Sequence, residues 1–268
     1  MKIIINNGRN HKKMNPKDRQ GKIHSYLQAM QREFTVEELA EKLQVSPLTI
    51  RRDLDTLGSE KAIVRTYGGC ISAGMSAIES EYYKKVAKNY ELKQAIGKAA
   101  ARIVSPGDVI LINDGSTTYH LASHLGGLEN LTVFTNSIPM ISALARYKNI
   151  NLYVLGGKYI SGLNHLSGSL TEQILEKMSF DSVYLGVDAI DPKGGCFSNT
   201  TEDARLAQLM FRTGRKKILL ADRTKFSMAS FFQFAALEDF NLLITNRDED
   251  EGLLKELKKK TTIQEVML

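Results

Sequence analysis

Seven short apolar runs, most of them separated by segments of helical period, dominate the last two-thirds of this 268-residue chain. They fall at Val109–Asn113, Leu131–Thr135, Leu152–Leu155, Val183–Val187, Lys217–Ala221, Leu242–Thr245 and Thr262–Val266. Strands that alternate with helices form a layered α/β sheet that is mostly parallel. Ligands of such sheets bind beyond the carboxyl ends of the strands. The residues that follow each run are therefore the first candidates for function.

Those residues are polar and glycine-rich. They read Asp114-Gly115-Ser116-Thr117-Thr118, Thr135-Asn136-Ser137, Gly156-Gly157-Lys158, Gly186-Val187-Asp188 and Asp222-Arg223-Thr224-Lys225-Phe226. Gly115 lets the backbone approach a ligand closely, and hydroxyls with free N–H groups at a helix start suit an anion. Asp222 and Lys225 at one strand end could hold a sugar hydroxyl and a phosphate. Any one of these loops is an ordinary turn; five at one edge of one sheet are harder to dismiss.

Residues 15–72 follow a different plan, three short helices and a hairpin. Ile23, Tyr26, Leu27 and Met30 make the stripe of an amphipathic first helix. Thr35 to Glu38 is a capping box that starts a second, with apolar Val36, Leu39, Ala40 and Leu43. Gln44 and Val45 alone separate it from a third helix, with Ser46 as N-cap, Pro47 in the first helical position, and Ile50, Leu54 and Leu57 turned inward. Such a tight pair of helices behind a third is the helix-turn-helix arrangement. Ala62 to Ile71 reads as a two-stranded wing. The candidate DNA contacts are Thr35, Ser46, Leu48, Thr49, Arg51, Arg52 and Arg65, with arginine suited to guanine edges or phosphate.

Charge supports that division. Residues 1–69 hold 13 Lys+Arg against 8 Asp+Glu, whereas the remainder holds 23 against 22. The excess sits where a polyanion would bind. No run of ~18 apolar residues suggests a membrane span, and the first residues lack the apolar core of a signal peptide. Cys70 and Cys196 form no metal or redox spacing, so a reduced, cytoplasmic protein is expected. The expected boundaries are an unstructured extension over 1–14, the winged helix-turn-helix over 15–72, a linker over 73–92, and the α/β domain over 93–268. Helix from Glu79 onward could merge with a helix beginning at Lys93. Lys2, Arg9, Lys12 and Lys13 could instead form a minor-groove arm, or Met14 could be the start.

Val45-Ser46-Pro47-Leu48-Thr49-Ile50-Arg51-Arg52-Asp53-Leu54, then Leu57, then Arg65-Thr66-Tyr67-Gly68-Gly69, resembles the DNA-binding signature of the DeoR family of bacterial transcriptional regulators. Tyr67, Cys70 and Lys61 stand where that family usually has His, Ala and Gly. Asp108, Asp114-Gly115-Ser116-Thr117-Thr118, Leu131 to Ser137, Gly156-Gly157, Leu166-Ser167-Gly168 and Ala221 to Phe226 are similar to the family's sensor domain. The resemblance covers about 250 residues. It implies a sensor fold shared with ribose-phosphate isomerases and CoA transferases, and a phosphorylated sugar or sugar-alcohol effector. The implied effector pocket uses Asp114, Ser116, Thr117, Thr118, Asn136, Ser137, Gly156, Gly157, Asp188, Glu202, Asp222 and Lys225. Lys84 and Lys85 replace an arginine common in the family.

The reading is a DNA-binding regulator, a repressor of a carbohydrate-use operon released by its effector. It is expected to act as a homodimer or homotetramer, because helix-turn-helix modules work in pairs on half-sites. The rival is a sugar-phosphate isomerase using Asp188 and Asp191 for proton transfer. In those enzymes a lysine and a longer glycine run lie several residues further on. Here Lys193-Gly194-Gly195 follows at once and Cys196 cuts the run short. No enzyme activity and no cofactor are expected. His120 and His124, at i and i+4, lack the further ligands of a zinc site and are read as packing or surface residues.

Overall fold

The computed structural model describes residues 14–30, 33–60, 62–65, 69–72, 77–226, 230–247 and 251–267. The chain divides into two compact units, Met1–Met75 and Ser76–Leu268.

The first unit holds α1 (Pro16–Met30), β1 (Phe34–Thr35), α2 (Val36–Leu43), α3 (Pro47–Ser59), β2 (Ile63–Arg65) and β3 (Gly69–Ser72). The expected stripes form its core: Ile23, Leu27, Val36, Leu39, Leu43, Ile50, Leu54 and Leu57 are buried together. Each large apolar side chain so buried contributes roughly 1.5–3 kcal/mol. Gln44 takes the left-handed conformation that ends α2 and turns the chain into α3. The wing carries a third strand that the sequence did not announce, because β1 pairs with β3 to give the order β1-β3-β2. Gly69 lies opposite Thr35, and a Cβ on it would sit 1.9 Å from the carbonyl oxygen of Phe34. Only glycine permits that approach. Lys61, Tyr67 and the first 13 residues lie outside the described residues.

The second unit opens with α4 (Ala77–Ala87) and α5 (Tyr90–Ala101), which do not merge. Asn89, left-handed at φ 58°, breaks the helix between them. Tyr82, Tyr83, Val86 and Ala87 are buried, so α4 is an integral part of this unit and does more than connect.

All seven expected runs are strands of one sheet: β4 (Val109–Ile112), β5 (Leu131–Thr135), β6 (Ile150–Val154), β9 (Phe180–Leu185), β12 (Gly214–Leu220), β14 (Leu242–Asn246) and β15 (Ile263–Val266). Their order is β15-β14-β12-β9-β4-β5-β6 and each pairing is parallel. Around it lie a 3-10 helix (Thr118–His124), α6 (Ile138–Leu144), the hairpin β7 (Lys158–Ile160) and β8 (His165–Ser167), α7 (Ser169–Leu175), α8 (Thr201–Thr213) and α9 (Glu251–Leu257). A small antiparallel sheet joins β10 (Ala189–Ile190), β11 (Gly195–Ser198) and β13 (Phe232–Ala236).

Alternating side chains go to opposite faces of the sheet. Ile110, Ile112, Tyr184, Ile218 and Ile244 pack with α5 and α6. Leu111, Val183, Leu185, Leu219 and Leu243 pack with α7, α8 and α9. The chain runs outward from β4 through β5 to β6, then returns to β9 on the other side of β4 and runs outward again. The order therefore reverses between β4 and β9, which is where a sheet of this type opens a crevice.

Candidate functional site

On the first unit, three of the hydroxyls expected to meet DNA are already engaged. Thr35 accepts from the backbone N–H of Glu38 at 3.0 Å, and Glu38 accepts from that of Thr35 at 3.1 Å. Ser46 accepts from the backbone N–H of Thr49 at 3.2 Å, and the two hydroxyls lie 2.9 Å apart. These residues build the helix starts. Leu48 is 56% exposed, and Arg51 and Arg52 project from the same helix. Arg51 reaches Glu37 at 4.0 Å, whereas Arg52 has no ion-pair partner among the described residues. Arg65 of the wing pairs with Asp55 of α3 at 3.4 Å. Asp53 was not singled out from sequence. It stands three residues after Ile50 and four before Leu57, on the apolar face, and there it binds buried Arg19 of α1. That spacing was the available signal.

The second unit has a cleft, open to solvent, at the carboxyl ends of β4, β9 and β12. Of the twelve expected effector residues, Asp114, Ser116, Thr117, Asp188 and Lys225 line it. The other seven do not. The hydroxyl of Thr118 donates to the Gly115 carbonyl at 2.8 Å and so shapes the loop. Ser137 caps α6. Gly156 accepts from Thr171 at 2.6 Å, and Gly157, at φ 155°, has no room for a Cβ beside Thr171 and Ser167. Asn136 is fully buried behind the cleft, donating to Asp114 at 3.4 Å and to the Leu166 carbonyl at 3.2 Å. Asp222 is buried, accepts from the backbone N–H of Thr224 at 3.0 Å, and lies 3.9 Å from Lys93. Glu202 points to solvent, while its neighbour Asp203 lines the cleft. Asp203, Leu206, Ala207 and Met210 share one face of α8, and a one-residue shift on a helix turns the side chain away.

The cleft has two electrostatic ends. Lys85 of α4 and Lys225 line one, with Lys93 behind them. Lys93 is 3% exposed and donates to the Lys85 carbonyl at 2.5 Å and to Ser116 at 3.1 Å. Burial draws its pKa down to about 8; Asp222 opposes this, and Lys225, Lys88 and Lys85 add to it. At the other end Asp114 and Asp203 flank His165, with Asp188 near Asp203. The imidazole Nδ1 of His165 lies 2.5 Å from Asp114 Oδ2, and its Nε2 lies 3.6 Å from Asp203 Oδ1. Burial opposes its protonation, yet the Asp114 carboxylate, with help from Asp203, holds its pKa above the usual imidazole value. Burial also works against the Asp114 charge, but His165 holds that carboxyl below its ordinary range. Burial raises Asp203.

Sequence reasoning missed Tyr82, Asn113, Leu163, Asp203 and Met210 as lining residues, and His165 behind them. Asn113 accepts from the backbone N–H of Gly186 at 3.0 Å, tying the ends of β4 and β9 together. His120 and His124 are packing groups. Their Nε2 atoms lie 3.0 Å from the Val86 carbonyl and 2.8 Å from the Gln94 side-chain oxygen.

A winged helix-turn-helix joined to an α/β unit with a polar cleft defines a ligand-responsive transcriptional regulator. Residues 19–74 match the DeoR-like helix-turn-helix domain, and residues 88–247 match the DeoR C terminal sensor domain. The chain belongs to the DeoR family of transcriptional regulators. It is 34% identical over 214 residues to the HTH-type transcriptional repressor GlcR of Bacillus subtilis (strain 168), spanning 80% of this chain and 82% of that one. It is 31% identical to the HTH-type transcriptional regulator GlpR of Haloferax volcanii, over 83% and 87% of the two chains. Among solved structures, ribose 5-phosphate isomerase A from Neisseria gonorrhoeae aligns at 19% identity over 52% of this chain and 54% of its own, with a TM-score of 0.38. Among the described residues no helix is long and apolar enough to cross a membrane.

Proposed function

We propose that this chain represses a carbohydrate-use operon by holding operator DNA, and that a phosphorylated sugar or sugar alcohol in the cleft releases it. The observation that carries this reading is the division of charge within the cleft. Lys85 and Lys225 suit a phosphate. Asp114, Asp188 and Asp203 suit a hydroxylated end, since carboxylates accept but do not donate. For release, the effector must bind the state that is incompetent for DNA more tightly than the competent one. Helix α4 supplies a route, because it places Tyr82 and Lys85 in the cleft and is the first element after the boundary at Met75.

DNA binding rests on Arg52, Arg51 and Leu48, with Arg65 of the wing available to phosphate once Asp55 yields it. Thr35, Ser46 and Thr49 position these groups. The protein works as a homodimer or homotetramer, and sedimentation of a monomer on DNA would contradict that. We read it as a regulator without enzyme activity. An isomerase would need Asp188 and Asp191 acting together, but the Asp191 carboxylate accepts from the backbone N–H of Gly195 at 2.7 Å and holds the turn before β11. Absence of ribose 5-phosphate turnover by the full chain is the expected result.

The test is a gel shift on the DNA upstream of the protein's own gene, repeated with a panel of sugar phosphates. Binding without ligand and release by one class of sugar phosphate supports the reading. A failure to bind that DNA, or indifference to every sugar phosphate, would overturn it.

A further inference from the structure

His165 belongs to none of the expected groups, yet the acidic end of the cleft is built on it. It is 1% exposed and does not line the cleft, while both carboxylates that flank it do. Its Nδ1 is hydrogen-bonded to Asp114, and its buried Nε2 has no hydrogen-bond partner, with Asp203 Oδ1 3.6 Å away. Asn136, fully buried beside Asp114, likewise has a side-chain oxygen with no partner. A buried polar atom without a partner costs stability and calls for a reason.

The geometry points to His165 as a positioning residue that fixes Asp114 and Asp203 as acceptors for the hydroxyl groups of the ligand, so that the cleft discriminates a hydroxyl-rich phosphate ester from a bare phosphate. This deepens the proposed sugar-phosphate reading and rests on it. Three neighbouring carboxylates would repel one another and an anionic ligand. An imidazolium between two of them removes that repulsion; their other oxygens, Asp114 Oδ1 and Asp203 Oδ2, accept from Asn136 at 3.4 Å and Thr200 at 2.7 Å and each keeps a second lone pair for a ligand hydroxyl. The groups that face it are Asp114 after β4 and Asp203 on α8; beyond Asp203 lies Asp188 after β9 and, beyond Asp114, Tyr82 on α4.

His165 has its pKa raised above 6.5, so it is protonated at pH 6.5 and loses its proton as pH rises through the raised value. A neutral ring turns either a lone pair or a single N–H toward Asp203, and the charge balance of the end is lost. Discrimination for the hydroxylated end therefore weakens as pH rises. Lys93 titrates near 8 at the other end of the cleft, so the readout must be a ratio that cancels the phosphate end.

The experiment is calorimetric titration of the full chain with ribose 5-phosphate, fructose 1-phosphate, glucose 6-phosphate and glycerol 3-phosphate, each against inorganic phosphate, between pH 6.5 and 8.5. The expected result is that at least one ester binds more tightly than inorganic phosphate, and that this ratio falls with rising pH. In His165→Gln the ratio falls about tenfold, the loss of a hydrogen bond to a charged group, and becomes flat with pH. Asp203→Asn, which keeps the shape of α8, gives the same loss and guards against a folding defect in the first variant. Retention of the ratio and its pH profile in both variants overturns the role of His165 while leaving the cleft reading intact. Failure of every ester to bind the unaltered chain overturns the cleft reading and this inference with it.

Discussion

Arg19 of α1 and Asp53 of α3, 34 positions apart, form a forked and buried ion pair in the DNA-binding unit. Arg19 Nη2 donates to Asp53 Oδ1 at 3.0 Å and Nε to Oδ2, with both side chains under a tenth exposed. Gln20 adds a bond to Asp53 at 3.3 Å. The pair fixes the first helix against the helix that carries Arg51 and Arg52, so the proposed DNA-reading face depends on an ion pair buried within the unit.

Removing one partner leaves an uncompensated buried charge. Asp53→Ala should cost roughly 3–5 kcal/mol in the unfolding of the N-terminal unit. The double change Arg19→Met with Asp53→Leu should recover most of it, because a well-packed apolar pair avoids the desolvation cost. Urea titration followed by circular dichroism reads both. A single variant within about 1 kcal/mol of the parent would deny the pair its role.

Arg52 is the cation on α3 that is free of an ion pair among the described residues. Arg52→Ala should weaken operator binding by roughly 1–3 kcal/mol and relax sequence discrimination at one position. Arg51→Ala should cost less, because Arg51 is shared with Glu37. Fluorescence anisotropy on operator and mismatched duplexes measures each; unchanged affinity in Arg52→Ala would remove α3 as the reading helix.

Lys225 lines the cleft and has no part in the winged helix. Lys225→Ala should bind operator as the parent does and fail to release it with sugar phosphate. Normal release in a gel shift would take Lys225 out of the effector site.

His120 is 1% exposed, and burial pulls its pKa down to about 4. Its folded pKa is below the unfolded value, so the stability it contributes is present above pH 6.5 and is lost as pH falls toward 4. The loss amounts to about 3 kcal/mol at 1.36 kcal/mol per unit. His165 acts in the opposite sense, so the test is a comparison. His120→Gln should show a shallower fall in thermal stability between pH 6.5 and 4 than the parent. Parallel curves would contradict the assignment.

Local chemistry explains which features were legible. The capping box at Thr35, the Ser46-Pro47 start and the seven apolar runs each announce an element through nearest neighbours alone. The short strand β1 was not legible, because two residues hold it only through β3. The cleft was half legible, for one reason. Sequence shows which residues follow a strand but not which strands are adjacent. The order reverses between β4 and β9, so Asp114 and Asp188 come together, while Ser137 and Gly157 end strands further out. Glu202 was expected and its neighbour Asp203 lines the cleft, because only packing tells which face of α8 meets the sheet. His165 was invisible because its meaning lies in two carboxylates 51 and 38 positions away.

If one chain couples operator binding to occupancy of the cleft, linkage makes that coupling reciprocal. The most direct measurement is calorimetric titration of the releasing sugar phosphate into the free protein and into its operator complex. The ligand should bind the complex more weakly, by the same factor that saturating ligand lowers operator affinity. Equal affinity for the free and DNA-bound protein would mean that the cleft and the operator are not coupled.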